Sequence, residues 1–373
     1  LRVGQGVMNM RTERKLLLRL SKLSLRNGSF IHERARLFSS SATNPYLSLA
    51  CNAEALPGGG IIGNVLLFDA AKQDMLTVRD KTMPQELPEW KGLGASHGWA
   101  FFFNLSDLSL SISDLFNPLA SKQNPTTIPL PPLTHLPCCQ SQVVWNVAMS
   151  SSPPPDEDED WVVAIKLLGR QLSLCRPRRD LRWTNILTPL GYLENSNLMF
   201  SKRDQKFYLP APGGHRLLSY DLNFAKDKDP EFHELQFRNI PELTQSEWEL
   251  LGSCCRTEYL VESASTGEHF LVKWYGQGFF KHGQGYKTKR FMVFREEETL
   301  EGRCMCYTEE IGDVCIFLSK SEAFCVKASS FPGLKPNSIY YLGHGFGIYD
   351  VATGTTSPFR PPQGAPAALI SPY

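Results

Sequence analysis

Short β-like runs parted by Gly, Pro, Asn and Asp clusters, a strand-and-turn unit that recurs along the chain, and strands too uniformly apolar to face water predict a single all-β propeller of six or seven blades. Residues 161–187, WVVAIKLLGRQLSLCRPRRDLRWTNIL, show the plan most openly. Residues 161–168 are almost continuously apolar, Gly169-Arg170 turns the chain, 171–175 follows, a basic loop carries RPRRD, and 183–187 closes the unit. Solid apolarity in VVAI, VLLF and WAFFF predicts strands covered on both faces, as the middle strands of a blade are by the neighbouring blades.

The 373 residues suffice for two average domains or one large all-β domain, and 42% hydrophobic content with 11% aromatics can fill a sizeable core. No apolar run reaches the roughly 18 residues of a membrane span. A net charge of +1 hides an asymmetry: residues 1–50 hold nine basic and two acidic side chains, so the remainder, with 30 basic and 36 acidic, carries −6. A mildly acidic body argues against a general nucleic-acid surface.

The first methionines are Met8 and Met10, so residues 1–7 read as translated upstream sequence. Leu16, Leu17, Leu20 and Leu23 share one side of a helical wheel, while Arg11, Lys15, Arg19, Lys22 and Arg26 take the other. The Ser-rich RARLFSSSAT follows. An amphipathic, Arg- and Ser-rich, acid-poor leader predicts a mitochondrial transit peptide over 1–38, with chloroplast or dual targeting as the alternative. Arg36-Leu37-Phe38-Ser39 resembles the processing pattern with Arg three residues before the new N-terminus, so cleavage is expected between Phe38 and Ser39. The import and processing machinery would be the leader's partners, and the matrix its destination.

From residue 46 onward strand-like runs follow in order: YLSLA, NVLLFDA, DMLTVRD, WAFFFNL, LSLSISDLF and QVVWNVAM precede the 161–187 unit. Downstream come NLMFSK, KFYLPA, RLLSYDL, FHELQF, EYLVES, HFLVKWYG, RFMVFRE, RCMCYTEE, DVCIFLS, AFCVKA, SIYYLG and FGIYDV. A strand ending in an Asp-, Asn- or Arg-marked turn recurs as LLFDA, SDLFNP, SLCRPRR, LSYDL, MVFREE and IYDVATG, the mark of a repeated blade. Closure is expected through an N-terminal strand, 46–50 or 65–70, joining the C-terminal strands around 339–359. Residues 117–137 are too proline-rich for a central strand and read as a connection between blades. Residues 150–160, SSSPPPDEDED, read as a solvated loop, and the glycine-rich 275–288 as a mobile one.

None of the ten cysteines forms a CxxC pair, and most alternate with apolar residues inside strand-like runs. Reduced core cysteines are expected, with no structural zinc.

Ser96-His97-Gly98-Trp99, SDLFNP (113–118), IPLPPL (128–133), the V-V-A-I strand with C-R-P and W-T, YLVES (259–263), FPGLKPNSIYY (331–341) and GIYDVATGTTSPF resemble the plant domain-of-unknown-function 295 family, the KIB-type β-propeller. The resemblance covers about residues 46–360, leaving 361–373 as a C-terminal tail. Many members of that family carry an F-box ahead of the propeller, which implies substrate recruitment to an SCF-type ubiquitin ligase. Residues 1–45 contain no such segment, so the chain is similar to the organellar branch, where a targeting sequence replaces the F-box.

No GxSxG, P-loop, HExxH or complete GxGxxG is present, and no catalytic constellation, cofactor or metal is predicted. His97 is expected to pin its turn. His282 and His344, in HGQGY and GHGFG, are candidate interaction residues that could meet on one propeller face. Arg176, Arg178, Arg179 and Arg182, beside Trp183, form the densest basic cluster outside the leader. Pairing with acidic neighbours is the expectation for them, RNA contact the alternative. The tryptophans are expected to pack between blades. The function this predicts is a non-catalytic organellar platform that binds a protein partner through propeller loops. Its alternatives are an F-box-related ubiquitin-ligase adaptor and a propeller that binds RNA, sugar or another small ligand, or acts on one.

Overall fold

The computed structural model describes residues 36–38 and 44–357, apart from 86–89, 105–106, 108, 138–142, 155–159, 190–195, 224–229, 280–284 and 300–301. Six sheets follow one another along the described residues. Blade one is β1 (Arg36–Phe38), β2 (Tyr46–Ala55), β3 (Ile61–Asp69) and β4 (Asp74–Met83). Blade two is β5 (Trp90–Ser96), β6 (Trp99–Asn104), β7 (Leu110–Ser113) and β8 (Thr127–Leu130). Blade three is β9 (Val144–Met149), β10 (Val163–Leu167), β11 (Gln171–Cys175) and β12 (Thr184–Leu187). Blade four is β13 (Met199–Ser201), β14 (Lys206–Pro210), β15 (Arg216–Asp221) and β16 (Glu231–Glu234).

These four are plain antiparallel meanders. Before blade five come β17 (Gln236–Arg238) and a short helix, α1 (Gln245–Gly252), started by a Thr244–Glu247 capping box. Blade five proper is β18 (Cys255–Glu262), β19 (His269–Phe279), β20 (Gly285–Thr299) and β21 (Gly302–Thr308), with β17 added in parallel outside β21. Blade six is β22 (Val314–Leu318), β23 (Phe324–Lys327), β24 (Ser338–Gly343), β25 (Gly345–Asp350) and β26 (Thr355–Ser357). Its chain doubles back: β23 lies inside β22, and β24 pairs in parallel on the other side of β22. The innermost strands β1, β5, β9, β13, β18 and β23 touch in that order, so the sheets are six blades around one axis.

The hydrophobic core is divided among six seams, each built from two neighbouring blades. Successive strand residues point to opposite faces. Phe101 therefore packs in the seam of blades two and three, while Phe102 packs in that of blades one and two. Both faces of a middle strand are dry, which is why WAFFF and VVAI carry no polar alternation. Trp161 and Trp183 pack in the two–three seam, and the Trp183 indole donates to the Pro131 carbonyl at 2.6 Å. The recurring strand-and-turn unit falls on the third strand from the axis in blades one to five and on the fourth in blade six. Its aspartates cap the following turn: Asp69 accepts from the Ala71 and Lys72 N–H, and Asp350 from that of Thr353.

Three expectations are corrected. Among the described residues, no N-terminal strand enters blade six. Blade one draws its four strands from residues 36–83 and blade six its five from 314–357, so within these residues the ring closes by face packing. Leu47, Phe68 and Ala71 meet Cys315, Phe317, Leu334 and Tyr340 there. Residues 117–137 include a strand, β8, but at the outer edge of blade two, where the missing N–H of Pro129 leaves no ladder position empty. Much of 275–288 is the end of the β19–β20 hairpin, because its Gly276 absorbs a register shift and the ladder continues to Phe279 and Gly285.

Gly333 marks the closing seam. Its φ is +108°, and a Cβ there would sit 2.0 Å from the Ala71 carbonyl oxygen, a backbone atom with no freedom to retreat. Gly312 has φ +67° but open space around it. Gly333→Ala is predicted to cost about 3 kcal/mol and Gly312→Ala about 1–2 kcal/mol in chemical denaturation. Equal losses would show that the Gly333–Ala71 approach does not hold the ring.

Candidate functional site

The axis is filled by the chain itself. Residues 319–323, the connection from β22 to β23, run between the inner strands of blades two to five. The Glu322 N–H donates to the Ala95 carbonyl at 3.0 Å. Its carboxylate accepts from the Phe200 N–H at 2.9 Å and from the Ser96 hydroxyl. Asn146 donates to the Lys320 and Ser321 carbonyls at 3.2 and 3.3 Å and accepts from the Leu198 N–H at 2.9 Å. The Tyr259 hydroxyl donates to the Ser319 carbonyl at 3.1 Å. One segment of blade six is thus bonded to four other blades. Beside it, Gly94 lets blades two and three approach, since a Cβ there would meet the Val147 side chain at 2.5 Å.

Burial pushes the Glu322 carboxyl up to about 7, although Ser96, the Phe200 and Met149 N–H groups and Lys202 all favour its ionised form. His97 stands beside it, Nδ1 2.9 Å from Ser96 Oγ and 3.9 Å from Glu322 Oε2. It occupies the tight β5–β6 turn with Gly98, both at positive φ, and burial lowers the ring to about 4. The expected turn-pinning role of His97 is what the Ser96 contact provides.

A second polar cluster lies between blades four and five. His269 Nε2 is 3.0 Å from Glu262 and Nδ1 is 3.3 Å from Glu296. Arg203 donates to Glu296 at 2.7 Å, and Tyr208 to Asp204 at 2.9 Å. Ser201 Oγ is 3.3 Å from His269 Nε2, so hydroxyl, imidazole and carboxylate stand in the order of a nucleophile and its base. Ser201 is wholly buried and its hydroxyl donates to Glu262, so this cluster is built as a seam. Burial alone would lower His269, but the bonds to Glu262 and Glu296 outweigh it, against Arg203, and hold the ring above its ordinary value. Burial likewise raises Glu296, and its bonds to His269 and Arg203 more than reverse that, bringing it down to about 2.

The residues singled out from sequence are dispersed. Arg176 lies 4.0 Å from Asp180 and donates to the Leu222 carbonyl at 3.0 Å, while Arg179 pairs with Asp160 at 2.6 Å. Arg178, at φ +71°, and Arg182 are exposed. His344 packs edge-on against Trp274 at 5.0 Å over Gly276, and its carbonyl accepts from both groups of Thr288. His282 and Ser39 lie outside the described residues, and Phe38 pairs with Tyr46 in β1. Of the eight cysteines described, Cys51, Cys175, Cys304, Cys306, Cys315 and Cys325 are buried and all eight are free. No helix among the described residues is long and apolar enough to cross a membrane.

Sequence reasoning missed Glu322, Ser96 and Asn146. SKSEA between CIFL and FCVK reads as an ordinary polar turn; its one unusual signal is an acidic residue followed directly by an apolar strand.

The molecule is thus a six-bladed β-propeller whose axis is plugged by its own sixth blade. The chain belongs to the KIB1-4 beta-propeller family, whose profile matches residues 67–354. No curated protein matches it. Among solved structures, it is similar to a complex of KlAtg21 with the coiled coil of AgAtg16, at 11% identity and TM-score 0.33, covering 54% of this chain and 57% of that one. It is similar also to a xylan β-1,4-xylosidase from Bacillus halodurans C-125, at 12% and 0.34, covering 74% and 55%. A third is a GH43_1 enzyme from Xanthomonas citri complexed with xylose, at 11% and 0.30, covering 76% and 94%. The chain thus spans just over half the length of the first two. Likeness at that level says nothing about what this chain binds.

The seam between blades four and five sets a pH dependence. Glu262 and Glu296 are held low, so the stability they add is complete above about pH 4.5 and is lost as pH falls towards Glu296's value. His269 is held high, so its share is complete below about pH 6.5 and is lost as pH rises through its folded value. His269→Gln is predicted to lower stability by about 3 kcal/mol at pH 6 and by less at pH 9, measured as urea midpoints. Parallel profiles for the two proteins would show that His269 is not charged in the seam.

Proposed function

We propose that this chain is a non-catalytic propeller that binds a protein partner through its rim loops, inside an organelle to which an N-terminal leader delivers it. The observation that carries this reading is the filled axis. A propeller that uses its channel for a small ligand needs polar groups converging on an open mouth. Here Glu322, Asn146 and Ser96 converge on the chain's own residues. Recognition is left to the rims, where Leu181 is 91% exposed between Arg178 and Arg182 and α1 presents Trp248 and Leu250. Exposed aromatic and arginine side chains are enriched at protein interfaces.

The finer placement, in the organellar branch of the domain-of-unknown-function 295 family, is supported by FPGLKPNSIYY and by the basic, Ser-rich leader. Cleavage after Phe38 would remove β1, the innermost strand of blade one, and leave β2 as that blade's inner edge.

Two measurements test the reading. A fusion of residues 8–60 to a fluorescent protein is predicted to enter mitochondria; a cytosolic fusion would contradict the organellar part. Partner capture with the full chain is predicted to lose a specific protein when Leu181→Asp is combined with Arg178→Glu and Arg182→Glu, or when Trp248→Ala is made, with thermal melting unchanged. An identical captured set for all variants would contradict the rim-loop part.

A further inference from the structure

The Ser96 hydroxyl has three polar neighbours and one proton. The Met149 N–H donates to it at 3.1 Å, Glu322 Oε2 lies within hydrogen-bond reach on one side, and His97 Nδ1 lies 2.9 Å away on the other. A hydroxyl donates once and accepts twice. The Met149 N–H, which also faces the Glu322 carboxyl, takes one acceptor position, so the remaining donor and acceptor positions are divided between Glu322 and His97.

Only two arrangements satisfy all three groups. With Glu322 ionised, Ser96 donates to the carboxylate and accepts from His97, which must carry its proton on Nδ1. With Glu322 protonated, the carboxylic acid donates to Ser96, Ser96 donates to His97 Nδ1, and the histidine proton must sit on Nε2. Each change of Glu322 therefore reverses the hydrogen-bond chain and moves the imidazole proton from one ring nitrogen to the other.

We propose that Glu322, Ser96 and His97 form a proton relay that links the buried plug carboxyl to solvent and reverses its polarity when the plug gains or loses a proton. The proton count closes: one proton leaves Glu322 through Ser96 to His97 Nδ1 as the Nε2 proton passes to water, and His97 stays neutral throughout. The Glu322 side chain is 9% exposed but that of His97 is 20% exposed, so the ring is the end of the chain that reaches water. The charged groups facing Glu322 are His97 on the β5–β6 turn and Lys202 just after β13. His97 stays neutral between pH 5 and 9, because burial holds the ring near 4. The reversal is centred near neutral pH, where Glu322 exchanges its proton.

The relay gives the plug a direction of response. The folded plug holds Glu322's pKa above that of a free glutamate, so its contribution is full below about pH 4.5 and is lost as pH rises through about 7. Opening of residues 319–323 is thus expected to become roughly tenfold more frequent between pH 6 and 8.

The test is the tautomer of His97, read from its ring carbon and nitrogen chemical shifts in the full chain between pH 5 and 9. Wild type is expected to pass from the Nε2–H to the Nδ1–H form with a midpoint near neutral pH. Glu322→Gln, whose amide donates to Ser96 at every pH, is expected to hold the Nε2–H form throughout. A single tautomer across the range in wild type overturns the relay without need of any variant. A crossing that persists unchanged in Glu322→Gln overturns it too, because the proton would then come from elsewhere.

Discussion

Residues 319–323, with Glu322 at their centre, tie blade six to blades two, three, four and five at the axis of this propeller. Blades of a propeller pack mainly on their neighbours, and the apolar seams here are all pairwise. The plug is different: it starts in blade six, takes hydrogen bonds from blades two, four and five, and holds blade three through Asn146. A carboxyl placed out of water in this way is costly unless its lone pairs are met. The inner strands meet them with a hydroxyl and backbone N–H groups, which fixes where the strands can stand.

The same economy runs through the outer parts. Where two blades must share a polar seam, as at His269, opposite charges are paired inside it and the surrounding side chains close it off. Where backbone must approach backbone, as at Gly333 and Ala71, the side chain is omitted. The closing seam shows the result: blades one and six lie face to face, with no strand exchanged among the described residues, and together bury the aromatic rings of Phe68, Phe317 and Tyr340.

Much of this was legible in the sequence, and for a single reason. A blade's middle strand is dry on both faces, so VVAI and WAFFF announce themselves, and the Asp-, Asn- or Arg-marked turn, once per blade, counts the blades. Arg176 and Arg179 met acidic or carbonyl partners as their crowding suggested. The plug was not legible, because its function depends on contacts between residues such as Ser96 and Glu322, 226 positions apart, and each alone is an ordinary turn residue. The doubling-back of blade six was hidden for a related reason. Parallel pairing of β22 with β24 places CIFL beside SIYY, and an apolar run does not state which neighbour it will take. β8 was obscured by its prolines, which exclude a central strand and are silent about an edge.

The central claim is that the plug is part of the folded core rather than a surface loop lying near it. Amide hydrogen exchange at Glu322 in the native chain tests that most directly, since its N–H is bonded to the Ala95 carbonyl at the axis. Protection equal to that of inner-strand amides such as Met149 and Phe200 is the predicted result. Exchange as fast as that of the exposed Arg178 loop would contradict it.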